Sequence, residues 1–216
     1  MKITRLAALA KEQKSMMLIN TIRDESIIRQ HLMIGQAVYP LNGFPLMQES
    51  ELLTLLDVPV EKHMEYYVHS RDMWDAMRQY TADNDAEDKE ASVCETGISV
   101  PWMDVVPMYT QQGVMFIGND YKRIIDNEKG VGWWSRKTLS GAVVLVAKKG
   151  YQTIATIMPD NRWMTDGVCD DLWHIAQAAR GMYDRNRESE MQGEQQTMDG
   201  AKLLADPEKT TAIVLS

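Results

Sequence analysis

Two histidines, His63 and His69, stand six residues apart with Glu61, Glu65 and Asp72 around them. On a strand, an even spacing puts both imidazoles on one face. Imidazole and carboxylate together are the donor set of a hydrolytic metal site, which needs about three protein ligands and an open position. The chain has no H-E-x-x-H, H-x-H or D-x-H pattern to complete such a set. Asp170 and Asp171 precede His174 at i,i+4 and i,i+3 spacing, where a surface ion pair is commoner than a ligand pair. The sequence therefore assigns no metal ligand, and a metal-dependent hydrolase stands as a second alternative function. No G-x-S-x-G, Ser-x-x-Lys or Cys-His frame marks a nucleophile. Gly130-Val131-Gly132 has neither the Lys-Ser/Thr of a phosphate loop nor a following helix. No catalytic residue and no cofactor are assigned, and the balance leans away from an enzyme.

Two charged stretches offer binding chemistry instead. Residues 121–150 carry seven Lys and Arg against two carboxylates, in a chain whose net charge is −8. Lys122, Arg123, Lys129, Arg136 and Lys137 flank Trp133 and Trp134, and indoles beside cations can stack bases while phosphates are neutralised. Neighbours on a strand point to opposite faces, so both indoles can serve one site only from a loop. This is the nucleic-acid alternative. The other stretch places Asp83, Asp85, Glu87, Asp88 and Glu90 within eight residues. It begins like a calcium loop, but the glycine position holds Asp88 and the closing glutamate position holds Cys94. A solvated acidic face is the reading that remains.

The elements that must position these groups follow from periodicity and turn residues. Residues 3–13 have the helical spacing of Leu6, Leu9 and Ala10. Residues 15–22 and 27–34 read as strands around a charged turn, and 37–41 as a short extended piece after Gly35. The acidic residues Glu49 and Glu51 suit the first turn of a helix carrying Leu52, Leu53, Leu55 and Leu56, which Pro59 ends. A strand at 65–69 and a short helix at 71–80 follow. Strands at 100–109 and 113–117, a helix at 120–127 and a flexible joint at 130–132 come next. A hairpin of 142–147 with 151–158 turns at Gly150. A long helix begins near 162 or 165 and runs to 187, with Val168, Leu172 and Ile175 on its apolar stripe. Residues 188–200 are polar and aperiodic, and 210–215 could add an edge strand.

The predicted fold is α+β: a bent antiparallel sheet with packed helices and a long C-terminal helix. Its parts are an N-terminal α+β region (1–82), an acidic linker (83–92), a β-rich region ending in the long helix (93–187) and a polar tail (188–216). With 216 residues, 44% apolar and 25% charged, the chain resembles an ordinary globular domain. Sixteen Met against two Phe is unusual and reads as adaptable core filler. Cys94 and Cys169 read as reduced, buried thiols. Only residues 6–10 form an apolar run near the N-terminus, too short for a secretion signal, and no stretch approaches a spanning length. These features place the chain in the cytoplasm, away from membranes.

The run Ala37-Val38-Tyr39-Pro40-Leu41-Asn42-Gly43-Phe44-Pro45, with the acidic leucine-rich stretch 51–56 and the Asp57-Val58-Pro59 stop, resembles uncharacterised phage and prophage proteins of Gram-positive gut bacteria. That group has no established activity. The resemblance implies a non-enzymatic accessory protein acting in the host bacterial cytoplasm by binding a host protein. One role it implies is inhibition of a nucleic-acid-guided or nucleotide-signalled defence system, with carboxylates occupying a basic channel. The candidate face is Asp83, Asp85, Glu87, Asp88 and Glu90. Homo-oligomerisation stays open.

Overall fold

The structure is a computed structural model. It describes residues 1–82, 90–96 and 104–160, with 167, 170, 171, 174, 175, 177, 178 and 181 of the following segment. The chain divides into two compact units, Met1–Asp170 and Asp171–Ser216. The described residues of the second unit have helical backbone. Most of the expected long helix, residues 83–89 of the expected acidic linker, the first residues of the expected 100–109 strand, the polar tail and the 210–215 strand lie outside the described residues.

The first unit opens with α1 (Ile3–Gln13), which buries Leu6, Ala7, Leu9 and Ala10. Lys14, at φ 51°, ends it by donating its N–H to Ala10 O. β1 (Ser15–Arg23) and β2 (Ser26–Ile34) form a hairpin. Its two-residue turn, Asp24-Glu25, takes positive φ at both positions, the geometry whose twist matches the flanking strands. Gly35 at φ +52° turns the chain into β3 (Ala37–Pro40), and the Tyr121 hydroxyl would lie 2.3 Å from any Cβ there. Glycine is needed at that position both for the backbone and for the packed ring.

α2 (Glu49–Leu55) carries a reciprocal cap between Gln48 and Glu51, satisfying donors that the helix itself leaves open. A 3-10 helix (Val60–Glu65) leads to β4 (Tyr67–Asp72), which lies parallel to β1. This pair departs from the expected wholly antiparallel sheet. The connection from β1 to β4 is long and contains a helix, which is what parallel pairing requires. The Glu49 carboxylate accepts Ser70 N–H at 2.6 Å, filling one outward donor on this edge strand.

After α3 (Asp75–Thr81) come β5 (Glu90–Glu95), β6 (Val105–Thr110), β7 (Gly113–Gly118), α4 (Asn119–Arg123), β8 (Val131–Lys137), β9 (Val143–Lys149) and β10 (Gln152–Ile157). Ten strands form one open sheet in the order β4-β1-β2-β3-β10-β9-β8-β5-β6-β7. β5 bends the sheet. Its residues Glu90 to Val93 pair with β8, while Cys94 and Glu95 pair with β6. The fold is α+β, as expected, with a single open sheet.

Each face of this sheet has its own packing. One buries the main core, with Leu6, Leu18, Leu32, Ile34, Tyr39, Leu52, Met108, Ile117 and Leu145. The other carries Ile19, Val38 and Met77 with Met17, Met33, Met73, Trp74 and Tyr80 around them. On that second face the register makes a continuous row: His69, Met17, Met33, Val38, Thr156, Val146, Trp134, Ser92. Directly paired residues share a face, so eight strands contribute to one line of side chains on this face.

Candidate functional site

Val131–Lys137 is ladder, so residues 131 and 132 of the expected flexible joint at 130–132 belong to a strand. Trp133 pairs with Ala147 and Trp134 with Val146, so strand alternation sends the indoles to opposite faces. Trp133 packs on the main core. Trp134 lies over Gly132, and the Lys148 ammonium sits 5.7 Å from its ring centroid. The two tryptophans do not share a site.

The cations around them are directed largely inward or onto carboxylates. Arg136 is 2% exposed. Its Nε and Nη2 donate to Glu90 Oε1 at 2.9 and 2.6 Å, Nη1 donates to Gln79 O at 2.6 Å, and Nη2 also reaches Ala82 O at 3.0 Å. Lys148 donates to Glu90 Oε2. One carboxylate thus holds two buried cations, and the guanidinium ties the end of α3 to the sheet. Thr153 Oγ1 donates to Ala82 O at 3.0 Å and adds to the same anchor. Glu90, expected on an acidic outer face, and Arg136, expected to meet phosphates, are instead partners of each other. Their pairing follows from their positions opposite one another on β5 and β8.

Lys122 donates to Asp126 at 2.8 Å and lies 3.1 Å from Glu95. Burial works against its charge, but these hydrogen bonds outweigh it and the ammonium titrates above its usual range. Arg123 pairs with Asp120 at 3.2 Å and Asp104 at 3.8 Å. Lys149 meets Glu128 at 3.0 Å. The Met1 ammonium also donates to Glu128, and with Lys149 it lowers that carboxyl to about 2. Lys129 and Lys137 are exposed.

The histidine pair does not form a strand face. His63 lies in the 3-10 helix, with Nε2 at 3.1 Å from Val58 O, while His69 lies on β4. Asp170, Asp171 and His174 are each exposed. Among the described residues no three His, Cys, Asp or Glu side chains converge as a metal-ligand group. Cys94, expected to be buried, is exposed, because it falls where β5 passes from one partner strand to the other. Cys169 lies outside the described residues.

Sequence spacing gave no sign of a groove of about 430 Å³ between α1 and α4. It is lined by Ala8, Leu9, Arg5, Glu12, Asp120 and Arg123. These residues come from sequence positions more than a hundred apart, so no local pattern marks them. The described residues contain no helix long and apolar enough to cross a membrane. Compared with known proteins, the chain matches no family model, no curated protein and no solved structure.

Proposed function

We propose that this chain is a non-enzymatic binding factor that engages a protein with a basic surface. The resemblance of residues 37–59 to phage proteins suggests the class of partner: a host protein of a nucleic-acid-guided or nucleotide-signalled defence system. The site of action is then the bacterial cytoplasm. Inhibition would come from carboxylates occupying a channel built for phosphates.

The observation that carries this reading is the destination of the positive charge. Arg136 and Lys148 are buried on Glu90, and Lys122, Arg123 and Lys149 are each held by surface carboxylates. Meanwhile Glu12, Asp24, Glu25, Glu61 and Asp72 are exposed. The chain's net charge is −8, and exposed carboxylates repel phosphate backbones and attract basic proteins. The same observation weakens the nucleic-acid reading, since five of its seven cations are engaged and its indoles are separated. Of the proposed acidic face, Asp83, Asp85, Glu87 and Asp88 remain candidates, and the partly buried Glu90 is taken up by Arg136 and Lys148.

Affinity capture with the tagged full-length chain from bacterial lysate tests the reading. The expected result is one protein in stoichiometric amount, released by added salt. The variant with Asp83→Asn, Asp85→Asn, Glu87→Gln and Asp88→Asn should release it at lower salt. Recovery of nucleic acid that nuclease treatment removes, or of no stoichiometric protein, overturns it.

A further inference from the structure

We propose that His69, Met17 and Met33, set in one row on one face by three adjacent strands, form a binding site for a soft monovalent metal ion, copper(I). His69 of β4 pairs directly with Met17 of β1, and Met17 with Met33 of β2. Adjacent strands lie about 4.8 Å apart. Three side chains rising in a line from such strands can converge on one ion above the middle residue. Methionine has three rotatable bonds and a polarisable thioether, so both outer and central donors can adjust.

Three further observations support the assignment. The Nδ1 atom of His69 is shielded from solvent and has no hydrogen-bond partner among the described residues. A shielded ring nitrogen without a partner is costly, and a metal bond would satisfy it. Met17 and Met33 are only partly buried, at the margin of the Ile19, Val38 and Met77 cluster. Neither residue is sealed in the core or fully solvated. Finally, the row holds no carboxylate. Arg71 is placed on the same face, stacked at 4.3 Å on Trp74.

Thioether and imidazole donors with no anionic ligand select soft, singly charged ions, whereas calcium, magnesium and manganese require oxygen donors. A divalent ion here would bring two positive charges onto a face that already carries Arg71. Met73, whose Sδ accepts from Thr81 Oγ1 at 3.5 Å, is already engaged and is not assigned as a ligand.

The test must remove competing thiols, because Cys94 is exposed and thiolates bind the same ion. The full-length Cys94→Ser/Cys169→Ser chain is titrated anaerobically with copper(I) against the chelator bicinchoninate. One equivalent of copper withheld from the chelator is expected. The Met17→Leu/Met33→Leu variant conserves side-chain volume and should lose that equivalent with its circular dichroism unchanged. His69→Gln should lose it too. Silver(I), a redox-inert stand-in, should shift the methyl resonances of Met17 and Met33. Failure to withhold copper from the chelator, undiminished binding by the double Leu variant, or equally tight zinc(II) binding overturns the proposal.

Discussion

Arg136 and Glu90 face each other across β8 and β5, and the guanidinium directs both Nε and Nη2 at the single oxygen Oε1. The other oxygen is left for Lys148. The carboxylate is the anion shared by both cations, and its removal leaves two positive groups side by side.

Glu90→Gln should therefore destabilise the protein by about 3–5 kcal/mol, the range for removing one member of a buried ion cluster. Arg123→Met, which breaks an exposed pair, should cost less than about 1 kcal/mol. Urea unfolding of both variants checks this. Equal midpoints would show that the Glu90 cluster does not hold α3 to the sheet.

Gly132 makes room for an indole. An alanine Cβ there would lie 2.4 Å from Trp134 Cη2, whereas at Gly130 it would meet nothing within 4 Å but would face φ +73°. Gly132→Ala should shift the tryptophan emission and cost about 1–3 kcal/mol through overpacking. Gly130→Ala should cost about 1 kcal/mol through backbone strain and leave the emission unchanged. Fluorescence and thermal unfolding of the two variants distinguish steric from conformational cost.

Acid should weaken the tie between the N-terminus and β9. Glu128 is lowered from 4.5 to about 2, first by the hydrogen bond from the Met1 ammonium and then by that from Lys149. A lowered carboxyl contributes stability that is complete above pH 4.5 and disappears as pH falls through about 2, because the unfolded chain takes up the proton first. The stability difference between the parent chain and Glu128→Gln should narrow across that window. A carboxyl NMR titration giving Glu128 an ordinary value would refute the pairing.

Tyr39 should resist ionisation. Its ring is fully buried and its hydroxyl donates to Tyr121 O at 2.9 Å. Burial raises it well above its usual 10.0, and the nearby Tyr121 and Asp120 charges add to the effect. Ultraviolet titration should show one tyrosine that ionises only as the protein unfolds in alkali. Tyr39→Phe should abolish that step and cost about 1 kcal/mol for the lost hydrogen bond.

Local chemistry was enough to read much of this architecture from sequence. The helix at 3–13, the first hairpin, the leucine-rich helix after Gln48 and the Gly150 hairpin each rest on apolar spacing, capping residues and turn geometry within a few positions. The same reasoning missed β5 and β8. Their strands alternate weakly, and their stability comes from ladder partners: Glu90 and Arg136 stand 46 residues apart.

By itself, then, the sequence determined which short segments turn, coil or extend, and that the molecule carries an excess of negative charge. Tertiary structure alone decided where the charges point. It brought Glu90 inward to Arg136 and Lys148, parted Trp133 from Trp134, and aligned His69 with Met17 and Met33. The physical reason is that periodicity specifies a face, whereas a side chain's partner on that face is set by strand order and register between distant parts of the chain.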